Sequence, residues 1–582
     1  MTSDSNTELR LFQEALEIRP STRIEMDSAI EVLQRNKDRW IKTTIDDRIK
    51  ILDESIQEFG RICDKWVTQS ALAKGDFDDP YSIGMEWIGG PVAILRSMRG
   101  YLHALYDISN HGNPKFPGPV WTMPNGQVAV KIYPSSIYER LVTLGLTVEV
   151  WMEDGISEEQ LEELQAVVYK EKEQNGSVVL VLGGGNVSGI SVNDSMYKLF
   201  VENQVVLLKM HPVNEYLGPL IERCLSRLIG EGFLQVVYGG VPEVKYMCEH
   251  PSVNELHMTG SDKTFETIMF GTGEEGIRRK KENQPLLTKR FTTELGNIAP
   301  AIIVPGPWSE SDFNYQAEQL VSHLCDNASF SCSRSRVILQ HSDWPKRIEL
   351  LQSIGNVLEK VPLRTAYYPG SFEQHAHFLN VHPEAEQYGI AQDGQIPWTL
   401  ISGVNSQNVD DICFRVESFC PVIAESTIDA PTVSEYIRRA VDFSNEHLWG
   451  TLSATIVVHP KSLKDPEIAT AIKDAVSDLR YGIVTINGFP GVGWAIATPP
   501  WGSFPGNQPN DIQSGTGFVH NSFMFSNPQK TVIRAPFRMK PKPVWFNSRA
   551  KVFKKVGKKM AMYELNPSLR KIPGMILAAL RG

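Results

Sequence analysis

Hydrophobic positions in the first hundred residues recur every three and four places, as in Ala29-Ile-Glu-Val-Leu-Gln and Ile49-Lys-Ile-Leu-Asp-Glu-Ser-Ile-Gln-Glu-Phe59, which predicts amphipathic helices. A breaker cluster, Gly112-Asn-Pro-Lys-Phe-Pro-Gly-Pro119, separates them from two strand-like runs, Val128 to Tyr133 and Leu146 to Trp151. From Ser177 to Gly260 short apolar runs, Val178 to Leu182, Val205 to Lys209 and Gln235 to Tyr238, alternate with helix-length segments. That alternation predicts parallel strands with covering helices and a ligand crevice at the strands' carboxyl ends. The charged stretch Gly271 to Gln284 reads as a surface loop. A further α/β stretch opens near Phe291 and closes at the Pro/Gly-rich Thr498 to Gly506, and two extended pieces, His520 to Ser526 and Thr531 to Arg534, precede the tail.

Composition narrows the class without naming a reaction. The chain has 582 residues, 42% hydrophobic and 22% charged, near globular averages and long enough for several structural units. No apolar run spans a bilayer, and the start, Met1-Thr-Ser-Asp-Ser-Asn, lacks the basic and apolar regions of a signal peptide, so a soluble cytoplasmic protein is expected. Seven scattered cysteines suit a reducing compartment and offer neither a disulfide framework nor a metal pair, so no metal site is expected. Net charge is -10, yet the segment from Arg538 onward holds twelve Lys and Arg against Glu564 alone, leaving the rest strongly acidic. An acidic body argues against nucleic acid as the main ligand, whereas the basic tail suits an acidic surface: lipid, a neighbouring subunit or the body itself.

Candidate chemistry lies in the middle of the chain. Cys332, within Asp326-Asn-Ala-Ser-Phe-Ser-Cys332-Ser-Arg-Ser-Arg336, follows by 38 residues Glu294 in Thr293-Glu294-Leu-Gly-Asn-Ile-Ala-Pro300. A thiolate that attacks a carbonyl and a carboxylate that activates water form a pair suited to covalent acyl chemistry. Two more elements stand in order, Gly183-Gly-Gly-Asn186-Val-Ser-Gly189 after an apolar run and Val205-Val-Leu-Leu-Lys209. Together they resemble the aldehyde dehydrogenase superfamily over roughly Ile24 to Pro536. The resemblance implies an α/β, aldehyde dehydrogenase-like fold with a Rossmann-like cofactor domain, an α/β catalytic domain and an oligomerisation ribbon. It makes Cys332 the nucleophile, Glu294 the deacylating base and Asn186 the oxyanion donor. Lys209 would touch the adenosine ribose, Gly260 and Ser261 of Met258-Thr-Gly-Ser261 the pyrophosphate, and Glu417 and Phe419 of Glu417-Ser-Phe419-Cys-Pro421 the nicotinamide and its ribose. Cys325, Cys413 and Cys420 read as small core residues.

The implied organisation is 1–115 as the helical part of the cofactor domain, 116–152 as the ribbon, 153–290 as the Rossmann-like domain, 291–506 as the catalytic domain and 507–582 as an extension with the basic tail. The implied activity is oxidation of an aldehyde to a carboxylic acid with NAD or NADP, in a homodimer or homotetramer, with peripheral membrane contact through the tail. Departures from the family pattern keep alternatives open. Ser329-Phe330 stands where Gly-Gln precedes the nucleophile, Arg336 follows Cys332 one residue early, Phe265 replaces a glycine, and Pro212 stands where a ribose-binding glutamate is usual. His211-Pro212 is similar to relatives that pass the acyl group to coenzyme A, and the lost glycines suit a non-catalytic member. Trp449 is a candidate for the substrate tunnel.

Overall fold

The structure, a computed structural model, describes residues 18–143 and 145–580. The chain's start, read above for a leader, lies outside the described residues, as does Arg581 of the basic tail. Two long helices, Arg23–Lys42 and Ile45–Ala73, begin where Thr22 and Thr44 accept hydrogen bonds from the backbone N–H of Glu25 and Asp47. Their apolar faces, with Leu33, Trp40, Leu52 and Phe59 fully buried, join one core with the strands of a six-stranded sheet.

Strands β1 (Val120–Thr122), β2 (Val128–Tyr133) and β3 (Thr147–Met152) form an antiparallel ribbon. β4 (Val178–Leu182), β5 (Val205–Lys209), β6 (Leu234–Val237), β7 (Glu255–Thr259) and β8 (Phe291–Glu294) follow with helices between them. β9 (Ala299–Ile303), β10 (Ser335–His341), β11 (Glu386–Tyr388), β12 (Trp398–Val404), β13 (Val422–Ile428), β14 (Ser453–Val457) and β15 (Ile483–Ile486) come next. The last are β16 (Pro500–Gly502), β17 (Gly515–Thr516), β18 (Phe518–His520) and β19 (Pro528–Arg534).

One sheet runs β17-β8-β7-β4-β5-β6 and is parallel except for β17. The strand Phe291–Glu294, placed by the sequence at the opening of the catalytic segment, belongs to this cofactor-type sheet, because its pairing with β7 brings Glu294 beside Thr259. The other sheet runs β1-β2-β3-β19-β15-β14-β9-β10-β13-β12-β11. The ribbon, expected from the resemblance to pair subunits, continues the chain's own sheet: β3 lies antiparallel to β19, which is parallel to β15.

One local expectation is corrected. The charged stretch at 271–284 is not a loop: it holds the helix Gly273–Lys281, along which Glu275 accepts hydrogen bonds from Arg278 and Arg279 one turn on. Phe265, which replaces a glycine of the family pattern, is 1% exposed and lies with its ring centroid 5.1 Å from that of Phe291. The tail folds as two helices, Ala550–Leu565 and Ile572–Leu580. Among the described residues no helix is long and apolar enough to cross a membrane.

Candidate active site

The carboxyl ends of the six-stranded sheet gather the residues singled out from the sequence. Lys209 ends β5 opposite Leu182 of β4, and the Gly183 N–H donates to its carbonyl at 3.1 Å. Glu294 ends β8 opposite Thr259, and the Gly260 N–H donates to the Glu294 carbonyl, also at 3.1 Å. Ser261 caps the helix Asp262–Phe270 by accepting from Thr264 N–H. The second sheet brings Cys332, on the loop before β10, and Glu417 and Phe419, on the loop before β13, to the same place.

The half-buried Cys332 Sγ–H donates to Glu294 Oε1 at 3.2 Å. Burial, with Glu294 and Glu417 nearby, pushes the Cys332 thiol well above its ordinary range. Burial likewise pushes the Glu294 carboxyl up to about 7. At rest the proton therefore sits on sulfur, facing a carboxylate poised to take it.

Asn186 lies on the loop after β4 and lines the same cavity as Cys332 and Glu294. Its Nδ2 donates to the Phe330 carbonyl at 3.1 Å, tying it to the Cys332 loop. Its own carbonyl accepts from Lys74 Nζ, Asn327 Nδ2 and the Tyr367 hydroxyl at 2.9, 3.0 and 2.8 Å. Lys74 is itself paired with buried Glu86 at 2.6 Å. This polar cluster had no signal in the sequence, since Lys74 and Glu86 sit in ordinary helical contexts and converge on the site only through packing.

The loop ahead of Cys332 explains one departure. Asn327, Ala328 and Ser329 have φ of 50°, 51° and 74°, the left-handed region that favours glycine. At Ser329 the strain is offset by hydrogen bonds a glycine would not make: its Oγ donates to the Cys420 carbonyl at 3.0 Å and accepts from Arg336 Nη1 at 2.8 Å. Arg336 also donates to the carbonyls of Ser329 and Cys420 at 2.7 and 2.9 Å. Phe330 joins an aromatic group with Tyr367, Tyr368 and Phe419 at centroid distances of 5.0, 5.8 and 6.0 Å.

From Cys332 a cavity of about 380 Å³, lined mainly by apolar side chains including Val92, Ile190, Phe489 and Trp501, runs toward Leu141 and Leu580. Trp449 does not line it; the ring packs partly buried against the catalytic core, while Trp494, Trp501 and Trp545 line the cavity. His211 accepts a hydrogen bond at Nδ1 from Val213 N–H and caps the turn Pro212–Leu217, and burial lowers its imidazole to about 4.

Known proteins resemble the chain in part of its sequence and in its fold. The aldehyde dehydrogenase family model fits residues 190–382, which include Lys209, Ser261, Glu294 and Cys332. A curated relative, 4-trimethylaminobutyraldehyde dehydrogenase B of Danio rerio, is 26% identical over 232 residues, 36% of this chain and 41% of that protein. Over residues 190–382 the chain is similar to the aldehyde dehydrogenase family, and the curated relative is matched over less than half of its own length. Solved structures share its fold across nearly the whole length. Aldehyde dehydrogenase 21 of Physcomitrella patens, in complex with succinate, superposes with a TM-score of 0.59 at 13% identity, covering 88% of this chain and 90% of that one. A Mycobacterium tuberculosis aldehyde dehydrogenase complexed with NAD+ gives 0.59 at 17%, covering 88% and 91%. The NADP-dependent glyceraldehyde-3-phosphate dehydrogenase of Bacillus halodurans C-125, complexed with NADP, gives 0.59 at 16%, covering 89% and 92%.

Proposed function

We propose that the chain is a member of the aldehyde dehydrogenase superfamily that oxidises an aldehyde to a carboxylic acid through a covalent adduct on Cys332, with NAD or NADP as electron acceptor, in the cytoplasm. The observation that carries the reading is the 3.2 Å hydrogen bond from the Cys332 thiol to Glu294, both lining an apolar cavity that Asn186 also lines.

The residues present fit a nicotinamide dinucleotide. Glu417 holds a buried Oε1 with no hydrogen-bond partner, and a Cβ on Gly296 would lie 2.0 Å from its Oε2, so the turn after Glu294 accepts that carboxylate only because residue 296 is glycine. Glu417 would hold the nicotinamide ribose, Phe419 would border the ring, and Gly260 with Ser261 would face the pyrophosphate at a helix N-terminus. Lys209 would meet the adenosine ribose, its amine lowered by burial to about 8. When bound, the cofactor supplies the acceptor for the hydride leaving the substrate carbon.

The chain's own residues supply the remaining steps. Glu294 takes the Cys332 proton and the thiolate adds to the aldehyde carbon, while the Asn186 amide and the Cys332 N–H receive the oxyanion. After loss of hydride the acyl group remains on sulfur as a thioester. Glu294, having shed its first proton to solvent, removes a proton from water, the hydroxide adds, and the acid departs as the sulfur regains a proton.

The test is NAD(P)H absorbance with an aldehyde panel, with and without coenzyme A. Turnover in plain buffer is expected from wild type and absent from Cys332→Ala. Strict dependence on coenzyme A would overturn the hydrolytic step, and no turnover with any aldehyde would overturn the reading.

A further inference from the structure

Arg538, Lys542 and Lys558 of the basic tail pair with Asp312, Glu318 and Asp64 of the acidic body, and the other lysines of the tail helix do not. Along the helix Ala550–Leu565 the lysines Lys551, Lys554, Lys555, Lys558 and Lys559 recur at helical spacing on one face. The opposite face, with Val552, Phe553 and Val556, is buried. Arg570 and Lys571 close the far side of a cleft of about 750 Å³ whose remaining wall is Trp87, Met562, Gly574 and Met575.

The acids that might neutralise it are engaged elsewhere or reach one lysine. Glu564 is turned inward onto Arg96 at 2.8 Å, and Asp64 pairs with Lys558. Lys551, Lys554, Lys555, Lys559 and Arg570 make no recorded ion pair among the described residues. A cleft with this density of cations attracts anions strongly.

A second observation lies on the neighbouring side of the same helix pair. Met575 lines both the basic cleft and the apolar cavity that starts at Cys332. The exposed large apolar side chains in that cavity's wall are Leu141 and Leu580, 44% and 58% exposed, and Ile137 and Leu577 near them in sequence are 65% and 45% exposed. Tyr138 stacks on Tyr563 at 3.8 Å, fastening the helix that carries Ile137 and Leu141 to the tail. Exposed apolar side chains in a cavity wall, with cations on the adjoining surface, are the composition of an interfacial membrane-binding face.

We propose that this face docks on an anionic lipid bilayer, with headgroup phosphates in the cleft formed by Lys551, Lys554, Lys555, Lys559 and Arg570 and with Leu141 and Leu580 of the cavity wall facing the acyl region. Resting on the aldehyde-oxidising reading above, the substrate class is then a long-chain aldehyde that enters from the bilayer and reaches Cys332 without crossing water. An acidic protein partner would satisfy the lysines but gives no account of the exposed apolar side chains near them.

The test is sedimentation of the full-length protein with vesicles of phosphatidylcholine alone and of phosphatidylcholine mixed with phosphatidylserine. Binding is expected only to the mixed vesicles and is expected to fall with salt. Lys551→Glu/Lys554→Glu/Lys555→Glu is expected to weaken it by more than about 100-fold, since each basic residue near such a surface contributes roughly fivefold. Leu577→Ser/Leu580→Ser provides a second variant that leaves the charges in place and is expected to weaken the same binding. Melting curves of both variants report folding. Equal recovery on both vesicle types, or of wild type and the lysine variant, would overturn the proposal. So would displacement by glycerophosphoserine as effective, headgroup for headgroup, as by vesicles, which would mark a site for a soluble anion. Oxidation of hexadecanal carried in the mixed vesicles is expected to exceed that in neutral vesicles by roughly tenfold through surface concentration. If wild type oxidises no aldehyde, soluble or carried in vesicles, the aldehyde reading fails, while sedimentation still decides the docking.

Discussion

At the scale of single residues, burial governs the site. It raises the thiol of Cys332 and the carboxyl of Glu294 together, so that neither is charged without a specific reason. Because Glu294 is held at about 7, the fraction able to act as base grows as pH rises through that value, and kcat is expected to fall away below it. Glu294→Gln should remove this limb and lower steady turnover by about 10²- to 10⁴-fold, leaving a burst of NAD(P)H in stopped flow. In Glu417→Gln the limb should persist and move to lower pH, because the nearby Glu417 charge helps raise Glu294. A limb that survives in Glu294→Gln would assign it to another group. The thiol is tested separately: alkylation followed by mass spectrometry should mark half-buried Cys332 before Cys325 or Cys420, both fully buried.

At the scale of elements, the Cys332 loop and the Asn186 loop hold one another through Lys74, Asn327 and Tyr367. Lys74→Met leaves the Glu86 carboxylate buried without its partner, and the expected loss is about 3–5 kcal/mol in denaturant unfolding. The double variant Lys74→Met/Glu86→Leu should recover most of that stability, since an apolar pair of similar size replaces a buried ion pair at little cost. Its kcat should stay depressed, because Asn186 and Asn327 still lack the ammonium that joins them. Full recovery of kcat would show that the cluster serves stability alone. What was legible here follows the range of the interaction. The strands at 178–182 and 205–209 could be read because alternating apolar runs are local, and Cys332, Glu294 and Asn186 because their flanking motifs and mutual spacing match a family order. Lys74, Glu86 and Tyr367 could not, since their pairing spans the chain and each is unremarkable among its neighbours. The stretch at 271–284 was misread because composition alone marked it as a loop, whereas the i, i+3 and i, i+4 placement of Glu275 against Arg278 and Arg279 makes it helical.

At the scale of the whole molecule, the C-terminal segment forms part of the wall of the apolar cavity and one buried cation fastens it. Arg96 donates to Glu564 at 2.8 Å and to Glu139 at 2.5 Å through its two terminal nitrogens, and through Nε to the Ile496 carbonyl at 3.0 Å. It thereby joins the helices Ala93–His111, Ile137–Val142 and Ala550–Leu565 around the cavity it also lines. Arg96→Met would leave two carboxylates facing each other in an apolar wall, at an expected cost of about 3–5 kcal/mol at neutral pH. The sign of the pH dependence follows from burial, which already holds the Glu564 carboxyl above its ordinary range. Without the guanidinium the Glu564 carboxyl binds its proton more tightly in the folded state than in the unfolded chain, so the deficit is largest well above the raised pKa and shrinks as pH falls through it. Melting temperature recorded against pH should therefore show the variant approaching wild type on the acid side and departing from it on the alkaline side. Trypsin at neutral pH should cut the variant among Lys551 to Lys559 while wild type resists, as the tail helix leaves the wall and its buried face opens. A constant difference in melting temperature across pH, together with an uncut tail, would mean that Val552, Phe553 and Val556 hold the helix in place and that Arg96 is not its fastening.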